Sequence, residues 1–333
     1  MKGMLRYIII KVTYTLITII LIVAFTFFLF YIMPGDPSTI LLGKTGFGRL
    51  TPGHGSEATS LVQFIREFYG LDRPLYEQFL LHLWHFFTGN WGTSITVHPG
   101  ASVSDIILYP LLNTIFLCGI ATLICAYIGI KIGSFSAWNR GKLSDVALTG
   151  ISLTLYSVPS FWLGILLLLL FAVWIPIFPL GHAGGEGPNL LMAIMDKIHH
   201  LILPLVTYVL TDFAAFSLTM KSSLTDVLTE DYIVTAKAKG LNQPKIHKKH
   251  AMPNAMLPMI TVIAYQLGYV LMGAIVIETV FSYPGIGLLT YDALIKRDYP
   301  LLMALFLIIS TGMVIANAIA DILYRYFDPR VKV

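Results

Sequence analysis

Stretches of about twenty or more predominantly apolar residues recur six times along this chain, at about 8 to 33, 108 to 132, 146 to 175, 200 to 220, 256 to 280 and 301 to 324. A bilayer core is about 30 Å thick and takes about 20 helical residues to cross; with no water inside it, the backbone must satisfy its own hydrogen bonds. Each stretch is therefore expected to be a membrane-spanning helix, which makes the chain an all-α, polytopic membrane protein. Composition agrees: 56% of the 333 residues are hydrophobic and 12% are charged, against roughly a quarter charged in soluble domains.

The placement of the charges gives an orientation. Lys2, Arg6 and Lys11 flank the first stretch, Arg140 and Lys142 separate the second from the third, Lys237 to Lys249 separate the fourth from the fifth, and Arg325, Arg330 and Lys332 follow the sixth. Cytoplasmic loops carry the excess of Lys and Arg, so these four positions are assigned to the cytoplasm, both termini included. The first stretch is too long for a signal-peptide core and runs into "MPGDP", with no small-residue cleavage site, so it is expected to be retained as a helix. Cys118 and Cys125 lie two helical turns apart, too far for a disulfide within one straight helix, and are expected to be packing residues.

Residues 34 to 107 form the longest polar insertion, on the outer side. Within it "LVQFIREFYGLDRPLYEQFLLHLWHFF" reads as two short amphipathic helices around Gly70, with Pro74 opening the second. His82 and His85 belong to that second, aromatic-rich helix, which suits an interface better than a metal.

The inner segment "DYIVTAKAKGLNQPKIHKKHAMPN", residues 231 to 254, is where the chain carries chemistry into water. Thr229 is placed to cap a helix that has Glu230 and Asp231 in its first turn, runs to about Lys239 and stops at Gly240. Asn242 is placed to cap a second helix, with Pro244 in its first turn and Pro253 as its end. Ala236, Ala238 and Gly240 leave backbone open to close approach, which suits a docking groove on another protein. The alternative is a basic loop held at anionic lipid, although the second helix has little apolar face beyond Ile246. His247 and His250 have a metal-like spacing but no third ligand nearby. No basic stripe pairs with stacking aromatics outside the spans, which excludes nucleic acid as a partner.

"EDYIVTAKAKGL" followed by "HAMPNAMLP" resembles the cytoplasmic loop of permease subunits of ATP-binding-cassette importers, in the dipeptide/oligopeptide branch. Val234, Thr235 and Ala236 stand at that family's Glu-Ala-Ala-like triplet, Gly240 at its glycine, and Met252-Pro253 at its Leu-Pro. The likeness extends through "IMPGDP", "YGLDRPLYEQF", "GNWGTS", "YSVPSFWLG", "GAIVIETVFSYPGIG", "DALIKRDYP" and "DPR", in order along nearly the whole chain. It is strongest to the permease with a large outer insertion after its first span.

The resemblance implies a type I importer fold divided into residues 1–33 (inner end and first span), 34–107 (outer insertion) and 108–333 (core permease, with a coupling loop at 221–255). It implies that Asp231, Tyr232, Thr235, Ala236, Lys237, Ala238, Lys239, Gly240, His250 and Pro253 engage an ATPase. Its partners would be a second permease, two ATP-binding subunits that bind ATP and Mg, an extracytoplasmic substrate-binding protein and membrane lipid. The chain has no Gly-x-x-x-x-Gly-Lys-[Ser/Thr] phosphate loop, so ATP hydrolysis is expected on partners, with no cofactor on this subunit. The cargo would be a di- or oligopeptide, or alternatively an oligosaccharide or another small solute.

Asp212 lies near the middle of the fourth stretch, where an aspartate costs about 2.5–3.5 kcal/mol on insertion scales. It is expected to face the cavity or a polar partner, either pairing with a neighbouring helix or touching substrate; the resemblance gives no support for the substrate role, because related chains carry no acid at this position. Leu218 stands where an arginine is common in relatives, while Lys221 keeps the basic character of the next position. Glu278, Pro284 and Gly285, by family analogy, belong to an outer gate or translocation pathway; a rigid interhelical loop is the other reading. Pro159 and Pro204 are expected to kink or begin helices. An ion-coupled secondary transporter would need relays of acids or histidines in the spans, and Asp212 is the one serious candidate.

Overall fold

The computed structural model describes residues 2–32, 73–272 and 274–327. Their regular structure is helical, apart from one isolated antiparallel bridge between Thr93 and Ser102. Helix α1 is Lys2–Ile32, α2 Leu75–Thr88, α3 Val103–Trp138, α4 Leu143–Ser157 and α5 Ser160–Leu168, which continues as a π-helical turn to Trp174. Then come α6 Leu190–Leu228, α7 Asp231–Ala238 and α8 Gln243–Ile246; a π-helical turn His247–Ala251 leads into α9 Met252–Tyr269. The last are α10 Ile275–Val280, α11 Ile286–Lys296 and α12 Tyr299–Phe327.

Among the described residues, five helices are long and apolar enough to cross a membrane: Arg6–Ile32, Val103–Trp138, Leu190–Leu228, Gln243–Met272 and Tyr299–Ile322. The expected third span is instead a pair, α4 and α5 with its π turn, bent by 91° and meeting that test only together. Its cause is Pro159, which drives Val158 into an extended conformation (ψ 126°) and ends α4 before opening α5. Apolar side chains such as Leu21, Phe25, Leu123 and Phe161 are exposed on these helices, as lipid-facing positions require.

Three expectations need correction. The fourth span is much longer than 200–220, and Pro204 lies inside α6 rather than at its start. The fifth does not run unbroken through 256–280: its helix ends by Met272, and α10 is separate. Nor does Pro253 end the second helix of the basic segment. It sits in the first turn of α9, where proline forfeits no intrahelical hydrogen bond, and the π turn joins the two. Pro74 is the residue before α2 rather than inside it; the helix expected before Gly70 lies outside the described residues.

The chain forms two compact units, residues 110–289 with 1–8 and 312–333, and residues 9–109 with 290–311. In the first, α3 and α6 cross at Gly129 and Gly133. A Cβ on Gly129 would overlap Phe216 Cβ and stand 2.8 Å from Ser217 N; one on Gly133 would overlap Ser217 O. The Gly-x-x-x-Gly spacing thus lets the two backbones touch, so that packing and dispersion replace the hydrophobic drive that lipid removes. Around the crossing lies a core of Cys125, Phe213, Phe216, Met220 and Leu224, continued by Ile233, Ile246 and Met259. Cys118 and Cys125 are both buried free thiols. In the second unit, Phe79 and His82 of α2 pack on Phe27 of α1, while Trp84 and Phe87 stay exposed.

Candidate functional site

The basic segment of residues 231–254 is anchored from beneath. Every third or fourth side chain of α7 turns inward: Ile233 and Ala236 are buried, as are Ile246 and Ala251 beyond it, all in the core that holds Met220 and Leu224. Asp231, Tyr232, Thr235, Lys237, Ala238, Lys239 and Gly240 are exposed. The smallness of Ala236 therefore serves the chain's own packing, and the open backbone is that of Ala238 and Gly240.

Gly240 has φ +76°, donates its N–H to Lys237 O at 2.9 Å and has no atom within 4 Å of the place a Cβ would take. This is the left-handed helix end that glycine adopts at least cost. At the other end, Glu230 rather than Thr229 is the residue before α7; the Thr229 hydroxyl donates backward to Asp226 O at 2.7 Å and closes α6. Asn242 does cap α8, its Oδ1 accepting from Lys245 N at 3.2 Å. Lys237, Lys239, Lys245, Lys248 and Lys249 are all exposed.

Cross-links to the spans hold the segment in register. His247 Nε2 lies 3.0 Å from Ser134 Oγ of α3, and its ring meets Trp138 edge-on at 4.8 Å. Ser223 Oγ of α6 donates to Ala255 O of α9 at 2.9 Å. His250 lends its carbonyl to Asn254 Nδ2, and no metal-holding group of three or more His, Cys, Asp or Glu occurs among the described residues. Lys221 docks the inner end of α6: its Nζ is 2.6 Å from Asp145 Oδ1 and donates to Thr149 Oγ1, both on α4. Leu218, one turn away, takes no part.

Glu278, Pro284 and Gly285 come together in a second constellation. The Glu278 carboxylate is fully buried, accepting from Thr114 Oγ1 (2.8 Å) and Leu288 N (3.0 Å), with Ala274 N at 3.4 Å. Thr114 Oγ1 in turn accepts from Ile286 N at 2.7 Å, and Asn113 Nδ2 donates to Pro284 O at 2.9 Å. A side chain on Gly285 would overlap the carboxyl, and one on Gly287 would stand 2.8 Å from Oε2. Glu278 is thus the internal acceptor around which residues 274–288 fold back against α3. Asp212 is not part of this group; it is half-buried on α6 and accepts from Thr211 Oγ1 at 2.9 Å.

A third constellation was missed in the sequence. Asp298, fully buried in the α11–α12 turn, accepts from Ser94 Oγ (2.6 Å) and from the amides of Ile95 (3.1 Å), Thr96 (2.8 Å) and Val97 (2.9 Å). Thr96 Oγ1 donates to Lys296 O at 2.9 Å. Burial raises the carboxyl's pKa, but the Ser94 hydroxyl and the Val97, Thr96 and Ile95 amides outweigh it and hold Asp298 below its ordinary value. The signal available was "GTSITV", a Ser/Thr-rich turn able to offer several donors at once, but its acceptor lies some two hundred residues away.

Residues 129–333 match the family described as the binding-protein-dependent transport system inner membrane component, and residues 4–101 match the N-terminal family of such membrane components. The chain belongs to this permease family. Among its relatives, the oligopeptide transport system permease protein AppB of Bacillus subtilis (strain 168) is 36% identical over 321 residues, 96% of this chain and 97% of the relative. The di/tripeptide transport system permease protein DppB of Pseudomonas aeruginosa (strain UCBPP-PA14) is 33% identical over 92% of this chain and 93% of its own length. The dipeptide transport system permease protein DppB of Escherichia coli (strain K12) is 32% identical over 99% of both. In this binding-protein-dependent permease, the anchored inner segment and the buried-carboxylate folds are therefore features of a transport subunit.

Proposed function

We propose that this permease is one membrane subunit of an importer of di- or oligopeptides, and that α7 and the turn at Gly240 are the handle by which separate ATP-hydrolysing subunits move its helices. The observation that carries this reading is the construction of the segment: one face of α7 sunk into the core that holds α6 and α9, the other face and the Gly240 backbone open. A displacement imposed on such a handle passes to the spans through packed side chains instead of being absorbed in a loose loop. The relatives' names supply the peptide cargo. By the same reading the partners are a second permease, two ATPases carrying ATP and Mg, and an outer binding protein that delivers cargo, and the termini lie in the cytoplasm of a cell whose plasma membrane holds the chain.

Gly240 gives the test, because its surroundings within the chain are empty and only its backbone is demanding. In the reconstituted importer, Gly240→Asn, which tolerates a left-handed backbone, is expected to keep most binding-protein-stimulated ATP hydrolysis and peptide uptake. Gly240→Trp is expected to lose both at least tenfold while the permease still purifies folded. Equal activity of the tryptophan variant and wild type would reject the handle.

A further inference from the structure

We propose that the mid-membrane carboxylate of Asp212 receives the ammonium group of the peptide as it passes along one face of α6, a role that rests on the peptide-import reading above. Asp212, Ala215, Thr219, Ser222 and Asp226 follow one another at intervals of three or four residues, and none of them is fully buried, while Tyr208, the next turn outward, packs against the core. They share one face of the helix, whereas Phe213, Phe216, Met220 and Leu224, on the other side, are buried in the core. The face holds no aliphatic side chain larger than alanine. Lipid would select large apolar groups there, so this face meets water or another polar surface.

The acid itself is half satisfied. Thr211 Oγ1 donates to Oδ2, no other hydrogen bond reaches the carboxylate, and Oδ1 is not among the buried atoms lacking a partner, so it is open to its surroundings. Among the described residues no Lys, Arg or His pairs with it; Lys221, on a different face, belongs to Asp145. A carboxylate at this depth calls for a cation or another polar partner.

A cation from the second permease is the rival, and the extent of the face argues against it. From Asp212 to Asp226 the polar groups cover about 21 Å of helix, all on the inner side of the mid-membrane acid. One interhelical ion pair needs polarity at a single level, whereas a hydrogen-bonding solute leaving the acid toward the inner side needs it at the successive levels that Thr219, Ser222 and Asp226 occupy. Peptides offer such a solute both amides for the hydroxyls and a primary ammonium for the acid.

The test uses the complete importer in proteoliposomes with its binding protein and radiolabelled trialanine. Asp212→Asn keeps size and hydrogen-bonding capacity but removes the charge; it is expected to lower maximal uptake about tenfold, the scale of one charge-assisted hydrogen bond, with KM within twofold. Asp212→Glu is expected to restore most of the rate. Asp212→Cys, made with Cys118→Ala and Cys125→Ala, is expected to react with a hydrophilic thiol reagent and to be slowed at least fivefold by saturating binding protein loaded with trialanine. Wild-type uptake by the asparagine variant, a cysteine inert to the reagent both with and without ATP, or loss of the second permease from purified Asp212→Asn would each overturn the role. A wild-type assembly that takes up neither trialanine nor dialanine but does take up another solute would sink the peptide reading with it. Normal wild-type uptake with an indifferent Asp212→Asn sinks the role of Asp212 alone.

Discussion

A single buried carboxylate at position 298 fixes the loop of residues 94–97, because three successive amides and a hydroxyl have no other acceptor. Bonds to an ionised acceptor contribute about 1.5–3 kcal/mol each net, without adding up in full at one shared acceptor, and donors left orphaned inside a protein cost about 1–3 kcal/mol. Asp298→Ala is expected to destabilise the purified permease by about 2–4 kcal/mol, and Asp298→Asn by less, measured as thermal unfolding in detergent. The dependence on acidity has a definite sign. The folded pKa lies below the unfolded one, so the folded state resists protonation, and the stability Asp298 contributes is fully present above the unfolded value of about 3.9. It is lost as pH falls through that value to the depressed folded one. The difference in unfolding temperature between wild type and Asp298→Ala should therefore narrow on acidification below about pH 4. A constant difference down to the lowest pH at which the protein stays soluble would show that the carboxylate's charge is not what holds the loop.

At the scale of elements, the crossing of α3 and α6 sets how the larger unit packs, and two glycines of α3 supply a matched pair of tests. Gly129→Ala forces a methyl into Phe216 Cβ and the Ser217 backbone, neither of which is the movable end of a flexible side chain; overpacking of this kind costs about 1–3 kcal/mol. Gly119 sits in the same helix with nothing within 4 Å of its would-be Cβ, so Gly119→Ala should be neutral or stabilising by up to about 1 kcal/mol. Unfolding temperatures of the isolated permease in detergent separate the two; equal shifts would mean that the close crossing does not carry the packing. The existence of the spans was legible beforehand, since length and apolarity are local properties. Asn242 and Gly240 were legible too, because caps and left-handed ends act within a few residues. The break at Pro159 was legible as a kink or helix start, because proline acts on its neighbour, although its 91° size was not; the passage through Pro253 and the reach of α6 past both expected ends were not legible either. The same holds for the sites: a Glu278 that hydrogen-bonds residues 114 and 288, or an Asp298 that gathers residues 94–97, leaves no periodic trace, and on α7 the small Ala236, expected on the open surface, packs inward beside Ile233.

For the molecule as a whole, the decisive property is which side of the membrane each constellation faces, because an engine on one side and a cargo supplier on the other must address different surfaces. By the charge bias of the exposed lysines from Lys237 to Lys249 the α7–α8 segment is expected inside, and a continuous α6 would then carry the chain across and leave residues near Leu190 outside. The bent pair α4–α5 must cross once, because α3 and α6 run parallel: Cys125 meets Val209, Gly129 meets Phe216, and Gly133 meets Ser217 and Met220, whereas a dip and return would make them antiparallel. Two exposed positions decide which side each end faces. His98→Cys and Lys248→Cys, each built with Cys118→Ala and Cys125→Ala, are expected to respond oppositely to a membrane-impermeant maleimide on intact spheroplasts: His98→Cys labelled at once, Lys248→Cys only after permeabilisation. Prompt labelling of Lys248→Cys would place the basic segment on the cargo side, where no ATPase could grip it, and the handle, the polar face of α6 and the division of labour between the two sides would all have to be rebuilt.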